Sequence, residues 1–160
     1  MKLLVAYFSA SGVTAKVAKR LAEAIGAELY DICPAEPYTR ADQDWTNKQS
    51  RSSVEMNDKS CRPKLLDHAA PVTGADVIFV GFPVWWYREP SIIDSFLEAY
   101  DFTGKVIVPF ATSGGSPVGE EAPARMAEIS GTKVLPGERF AVGVSVAELK
   151  AWADRALKEA

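Results

Sequence analysis

Two rhythms of hydrophobic residues alternate along this chain. Short continuous apolar runs give way to stretches in which apolar positions recur every three or four residues, the signatures of buried strands and of helices with one buried face. Leu3-Leu4-Val5-Ala6-Tyr7-Phe8 is the first run and predicts a strand. Val17, Ala18, Leu21, Ala22 and Ile25 then fall on one helical face, Lys16, Lys19, Arg20 and Glu23 face away, and Gly26 stands where a helix C-cap belongs. A second strand is expected at 28–32. Near-continuous runs at 76–82 and 105–111 fit a parallel sheet covered on both faces. Pro109 speaks against the last of these, because proline removes a ladder donor. A helix over 91–100 would bury Ile92, Ile93, Phe96, Leu97 and Tyr100, with Pro90 suited to its first turn. Met126 and Ile129 predict a shorter helix from near Pro123, and a fifth strand is expected within 133–144, interrupted by Pro136-Gly137. Ser145-Val146-Ala147-Glu148 reads as a capping box opening a last helix, whose inner face is Val146, Leu149, Trp152, Ala153, Ala156 and Leu157. Strand and helix alternate throughout, which predicts one α/β domain over 1–160, a five-stranded sheet between layers of helices.

Residues 34–71 break the rhythm. The segment is polar, with Asp42, Asp44, Arg51, Ser52, Ser53 and Asp58 among scattered apolar residues. A short helix over 41–48 carrying Trp45 is expected, and the remainder reads as a long excursion. Loops of that length inside a compact domain are usually functional or loose, and cover over a ligand is the favoured reading here.

Composition narrows the classes. A chain of 160 residues with 48% hydrophobic and 24% charged content can bury a real core as one domain. Its net charge of -3 and the lack of a basic stripe argue against nucleic acid as a partner. The opening apolar run is too short for a membrane span or a signal segment, so no membrane span and a cytoplasmic location are expected. Cys33 and Cys61 are far apart and form no C-x-x-C, and His68 is the only histidine, so neither a thiol redox pair nor a metal site is expected.

The candidate chemistry begins at Ser9-Ala10-Ser11-Gly12-Val13-Thr14, between the first strand and the first helix. Backbone N–H groups and the positive end of the helix dipole converge there, an arrangement that attracts anions. The turn holds no lysine or arginine, so neutral donors would have to hold a phosphate. A plain N-capped helix is the competing reading. A dinucleotide turn would need two further glycines beside Gly12, and a phosphatase would need a cysteine in this loop. A receiver domain would need an aspartate ending the third strand, which here ends Val80-Gly81-Phe82-Pro83.

The pattern Ser-x-Ser-Gly-x-Thr resembles the phosphate loop of the flavodoxin family, which holds the monophosphate of FMN. Two more loops fit. Val84-Trp85-Trp86-Tyr87 follows the third strand, where three consecutive aromatics cannot share one packing face and a flat ring is a natural partner. Thr112-Ser113-Gly114-Gly115-Ser116 follows the fourth. With flavodoxin-like strand order 2-1-3-4-5, all three loops meet where the winding reverses. The resemblance covers nearly the whole chain and implies a three-layer α/β/α sandwich that binds FMN. It places Ser9, Ser11, Gly12, Val13, Thr14 and Ala15 at the phosphate. Pro83, Val84, Trp85, Trp86 and Tyr87 would lie along ring and ribityl chain, and Thr112, Ser113, Gly114 and Gly115 at the pyrimidine edge. No catalytic side chain stands out.

One departure bears on the chemistry. Carrier flavodoxins usually have a glycine beside flavin N5, whose freedom at positive φ lets the peptide flip in one-electron reduction. Residues 83–90 contain none. The resemblance therefore implies a redox protein of one of two kinds: an electron carrier working with a partner protein, or an FMN enzyme passing electrons from NAD(P)H to a small acceptor such as a quinone. The missing glycine favours the second. A flavin-free binding module of the same fold is the alternative, and Arg51 is a candidate for holding an anionic group under the excursion.

Overall fold

The structure, a computed structural model that describes residues 1–112 and 121–160, alternates strand and helix as the apolar rhythm predicts. Strand β1 (Leu3–Tyr7) leads into α1 (Val13–Ile25), which ends at Gly26 in the left-handed conformation, and β2 (Glu28–Asp31) follows. After the excursion come β3 (Val77–Pro83), α3 (Ser91–Ala99), β4 (Val106–Thr112) and α4 (Ala122–Ser130). Short strands β5 (Lys133–Val134) and β6 (Glu138–Phe140) precede α5 (Val146–Glu159). The sheet is parallel in the order β2-β1-β3-β4-β5, with β6 also paired to β4.

Side chains alternate across the sheet and feed two cores. Val5, Tyr7, Val77, Phe79, Val108 and Phe110 pack against Val17 and Leu21 of α1 and Leu149, Trp152 and Ala153 of α5. Leu4, Ala6, Ile78, Val80, Phe82 and Ile107 pack against Ile92, Ile93, Phe96 and Leu97 of α3 and Met126 of α4. Each such side chain, fully buried, is worth about 1.5–3 kcal/mol. The sandwich is therefore the arrangement that lets a two-sided apolar sheet hide both faces.

The expected fifth strand divides for a local reason. β5 pairs with Val106 and Ile107, and β6 pairs with Phe110, Ala111 and Thr112. The gap falls opposite Pro109, which has no N–H to offer a neighbour. Gly137 fills the gap at φ 78°, and a Cβ there would stand 2.3 Å from the Pro109 carbonyl oxygen. Pro109 thus sits inside β4 while the edge strand bends around it.

Two details differ from expectation. Ser145 caps α5 by accepting from the Glu148 N–H at 3.1 Å, but Val146 is largely exposed and the inner stripe begins at Leu149. The helix expected over 41–48 shrinks to one 3₁₀ turn, Ala41–Gln43. Side chains compete for the backbone there: Thr39 and Asp42 cap each other, Asp44 takes the Thr46 N–H at 3.0 Å, and Asn47 takes the Gln49 N–H at 2.9 Å. A helix forms instead at α2 (Arg51–Met56), where the Ser50 hydroxyl accepts from the Ser53 N–H. The excursion is closed at its neck, Ala35 N–H to the Lys64 carbonyl and Leu66 N–H to the Cys33 carbonyl, both at 2.8 Å. Among the described residues no helix is long and apolar enough to cross a membrane.

Candidate functional site

β1, β3 and β4 all end on the same side of the sheet, at the point where strand order reverses from β1 to β3, and this is where ligands of doubly wound sheets bind. The first turn at this edge is built from backbone. Gly12 adopts φ 94°, a conformation that a Cβ would strain, and starts α1 with no side-chain cap of its own. The Ser9 hydroxyl accepts from the N–H groups of Gly12 at 3.1 Å and Ala15 at 3.2 Å. Among the described residues the N–H groups of Ser11, Val13 and Thr14 have no acceptor. Three donors therefore stand unaccepted at the start of α1, with no acidic residue in the helix's first turn to compete for an anion. Thr14 is buried, and its hydroxyl lies 2.7 Å from that of Thr112 at the end of β4. That bond ties the first loop to the start of the third. Ser113, Gly114 and Gly115 lie outside the described residues.

The second turn is built differently. The Val84 N–H donates to the Thr112 carbonyl, and Pro83 and Val84 are buried at the strand end. Trp85 and Arg88 then exchange backbone hydrogen bonds at 3.2 and 3.3 Å, closing a two-residue turn over Trp86 and Tyr87. Trp86 takes φ 60°, the one positive φ among the described non-glycine residues, at a place such turns ordinarily give to glycine. The absence of glycine from 83–90 therefore does not keep the loop out of the left-handed region. It makes the conformation strained.

The three aromatics separate as their spacing requires. Trp85 turns inward, its ring edge-on to Phe8 at 5.8 Å and to Tyr38 at 5.2 Å. Trp86 remains 43% exposed and Tyr87 44%. A hollow of about 290 Å³ opens between this turn and the excursion, lined by Gln43, Trp45, Ser52, Val84, Trp85 and Trp86. Its lining carries no charge. Trp45, 73% exposed, faces solvent at its rim.

Arg51 is otherwise engaged. Its guanidinium stacks 3.8 Å above the Tyr38 ring, donates to Glu55 Oε2 at 2.9 Å and reaches the Glu36 carbonyl at 2.7 Å. It stabilises the excursion rather than offering a free cation. Burial, and then the hydrogen bond Tyr38 gives Glu55, push the Tyr38 phenol well above the usual range. Burial likewise raises the thiols of Cys33 and Cys61, so neither is an activated nucleophile.

Sequence reasoning missed the group that anchors the second turn. Arg88 is fully buried, and its guanidinium donates to the carbonyls of Met56 at 3.1 Å and Glu55 at 3.4 Å, capping the C-terminal end of α2. Glu89 and Asp94 are buried beside it, and Arg125 of α4 bonds both, to Glu89 at 3.2 Å and to Asp94 at 2.7 Å. The available signal was three charges inside the otherwise apolar stretch 84–97, since charges placed there must be paired.

The comparisons agree with this geometry. Residues 2–156 match the family model described as Flavodoxin. Among solved structures, one named as a flavoprotein from Bacteroides eggerthii is 43% identical, with 96% of each chain covered and a TM-score of 0.89. Another from Bacteroides uniformis is 44% identical over 96% of this chain and 97% of that one, with a TM-score of 0.89. A flavoprotein from Lactobacillus acidophilus, solved in complex with FMN, shares the fold at a TM-score of 0.70, with 24% identity over 95% of this chain and 98% of its own. No curated protein matches the chain.

Proposed function

The chain belongs to the flavodoxin family, and from that membership and the site's geometry we propose that it binds FMN and exchanges electrons through it. The observation that carries this reading is the 9–14 turn. Its unaccepted N–H groups at Ser11, Val13 and Thr14, and the hydroxyls of Ser9, Ser11 and Thr14, suit a terminal phosphate without any cation. A Thr14 hydroxyl that accepts from Thr112 keeps its own hydrogen to donate. Ala15 contributes through its N–H, which holds Ser9 in place. Pro83 and Val84 would hold the ring from the strand end, and Trp86, whose indole stays exposed while Trp85 packs against Phe8 and Tyr38, would offer it an aromatic face.

FMN supplies the redox chemistry, and the protein supplies orientation, access and tuning. The uncharged hollow beside Trp86 suits a neutral planar acceptor such as a quinone, with NAD(P)H or a redox partner protein as electron source. Closure of the 85–88 turn at both ends, with Arg88 pinned behind it, favours two-electron exchange, because any rearrangement of that backbone breaks paired groups.

Calorimetry with FMN and riboflavin tests the binding. One FMN per chain is expected, with FMN preferred over riboflavin. Equal affinities, or a colourless protein that leaves added FMN free, would overturn the reading in favour of a flavin-free module. Photoreduction of the loaded protein should then pass between two absorbance spectra through fixed isosbestic points, and a third spectrum dominating at half reduction would return it to the one-electron carriers.

A further inference from the structure

Trp45 is the most exposed aromatic side chain among the described residues, at 73%, and neither hydrophobic core includes it. Its backbone is nevertheless held on both sides by local bonds. Before it, the Thr39 hydroxyl accepts from the Asp42 N–H at 3.1 Å, the Asp42 carboxylate accepts from the Thr39 N–H at 2.9 Å, and Gln43 Nε2 donates to the Thr39 carbonyl at 3.2 Å. After it, Asp44 accepts the Thr46 N–H through its carboxylate at 3.0 Å and the Asn47 N–H through its carbonyl at 3.1 Å. A large apolar ring left in water on a fixed backbone adds little to the fold. A ligand arriving against it meets a surface that is already ordered.

The hollow that Trp45 borders narrows the class of that ligand. The second turn supplies Val84, Trp85 and Trp86, and the excursion supplies Gln43, Trp45 and Ser52. The Ser52 hydroxyl lies 3.4 Å from that of Ser50 and is already partnered. Gln43 spends one of its two amide hydrogens on Thr39. The other, like the Trp45 indole N–H, has no acceptor among the described residues. Indole surfaces and neutral N–H donors lining one hollow suit a flat ring that carries carbonyl oxygens. An anion would lose its hydration with no cation in the lining to replace it. An organic cation could use the indole faces but would meet the N–H donors by their positive ends. At about 290 Å³ the hollow stands at the lower end of small-molecule sites, roughly 300–1,000 Å³, which limits the ring system to about two fused rings.

We propose that Trp45 and Gln43 form the excursion's half of a binding site for an uncharged two-ring carbonyl compound, Trp45 stacking on the ring and Gln43 donating to a carbonyl oxygen. That this compound is the electron acceptor rests on the FMN reading above, although the hollow itself uses no residue of the 9–14 turn. The excursion then chooses the acceptor, and it does so by size and by absence of charge.

Equilibrium dialysis of the oxidised protein, before and after saturation with FMN and with no electron donor present, measures binding without turnover. The probe is a dimethyl-naphthoquinone whose open ring positions are both methylated, so that the thiols of Cys33 and Cys61 cannot add to it. One molecule per chain is expected. Trp45→Ala should weaken it about fivefold and Trp45→Phe about twofold, since the smaller ring still stacks. Gln43→Leu should weaken it about threefold, as for one lost hydrogen bond. Two analogues of the same size test the charge rule: one with an enol hydroxyl, ionised at neutral pH, in place of a methyl, and the cation N-methylquinolinium. Each should bind about tenfold more weakly than the neutral quinone. Calorimetry should show FMN affinity unchanged in Trp45→Ala.

Naphthoquinone binding that survives both Trp45→Ala and Gln43→Leu undiminished would overturn the proposal, and so would a charged analogue that binds as well as the neutral one. Parallel loss of FMN and naphthoquinone in Trp45→Ala would overturn it too, by placing the indole over the flavin. If Trp45→Ala unfolds at a lower temperature than the wild type, discrimination among the three ligands by the wild type decides the matter. A protein that binds FMN but no naphthoquinone defeats this proposal alone. One that takes the naphthoquinone through Trp45 but never FMN supports the site and defeats the functional reading alone.

Discussion

Two turns meet at the same sheet edge and are held by opposite means. The 9–14 turn is made by its own residues: a glycine at φ 94°, a serine folding back on two N–H groups, and the start of α1 at Val13. The 85–88 turn puts a tryptophan where glycine is usual and is held by distant groups, Tyr38 and the end of α2 from the excursion and Arg125 from α4. The first can form wherever a strand feeds a helix. The second also leans on the excursion, through Tyr38 against Trp85 and the end of α2 against Arg88. Local construction suits a fixed anion anchor, and remote construction lets the rest of the protein set how the aromatic face is presented.

The contrast predicts a ranked set of losses. Arg88→Met should be the most damaging change, because it strips a buried cation from Asp94 and leaves the Met56 carbonyl without its donor; about 3–5 kcal/mol of stability is expected to go. Urea unfolding measures it, and hydrogen exchange should show α2 and the 85–88 turn loosening together. A loss confined to the turn would mean that the excursion is held by other contacts. Thr14→Ala comes next and acts on binding. It should weaken FMN by about 1.5–3 kcal/mol, the range for a hydrogen bond to a charged group, with little change in riboflavin binding. Equal losses for both ligands would show that Thr14 serves the fold through Thr112 and not the phosphate. The smallest effect is expected at Trp86→Gly, where relief of positive φ offsets lost contact and stability should move by about 1 kcal/mol or less. Bound-flavin fluorescence should nevertheless brighten. A large destabilisation there would place Trp86 in the core beside Trp85 and erase the distinction between the two indoles.

Much of the frame was legible because it depends on periodicity. Val77, Phe79 and Ile78, Val80 alternate between two cores as a doubly covered strand must, and Val17, Leu21 and Leu149, Trp152 lie on helical stripes that can only face them. Even Pro136-Gly137 was readable as a break, although its cause, Pro109 across the ladder, belongs to the register of β4. The excursion was less legible. Its capping residues, Thr39, Asp42, Asp44 and Asn47, override weak helical spacing with side-chain bonds whose partners are local but whose outcome is decided by small differences.

By itself, then, the sequence determined the alternation of elements, the glycine turn between β1 and α1 and the arrival of β1, β3 and β4 at one edge, because each depends on neighbours along the chain or on a repeating pattern. Tertiary structure alone decided that Trp85 turns inward while Trp86 stays out, that Arg51 is tied to Tyr38 and Glu55, and that Arg88, Glu89, Asp94 and Arg125 form one buried network. Those outcomes rest on pairings between residues far apart along the chain, Arg88 with Glu55 at 33 positions and Arg125 with Glu89 at 36 among them. A buried charge or a strained φ is stable only when such a partner is in place, and no local pattern encodes where that partner will stand.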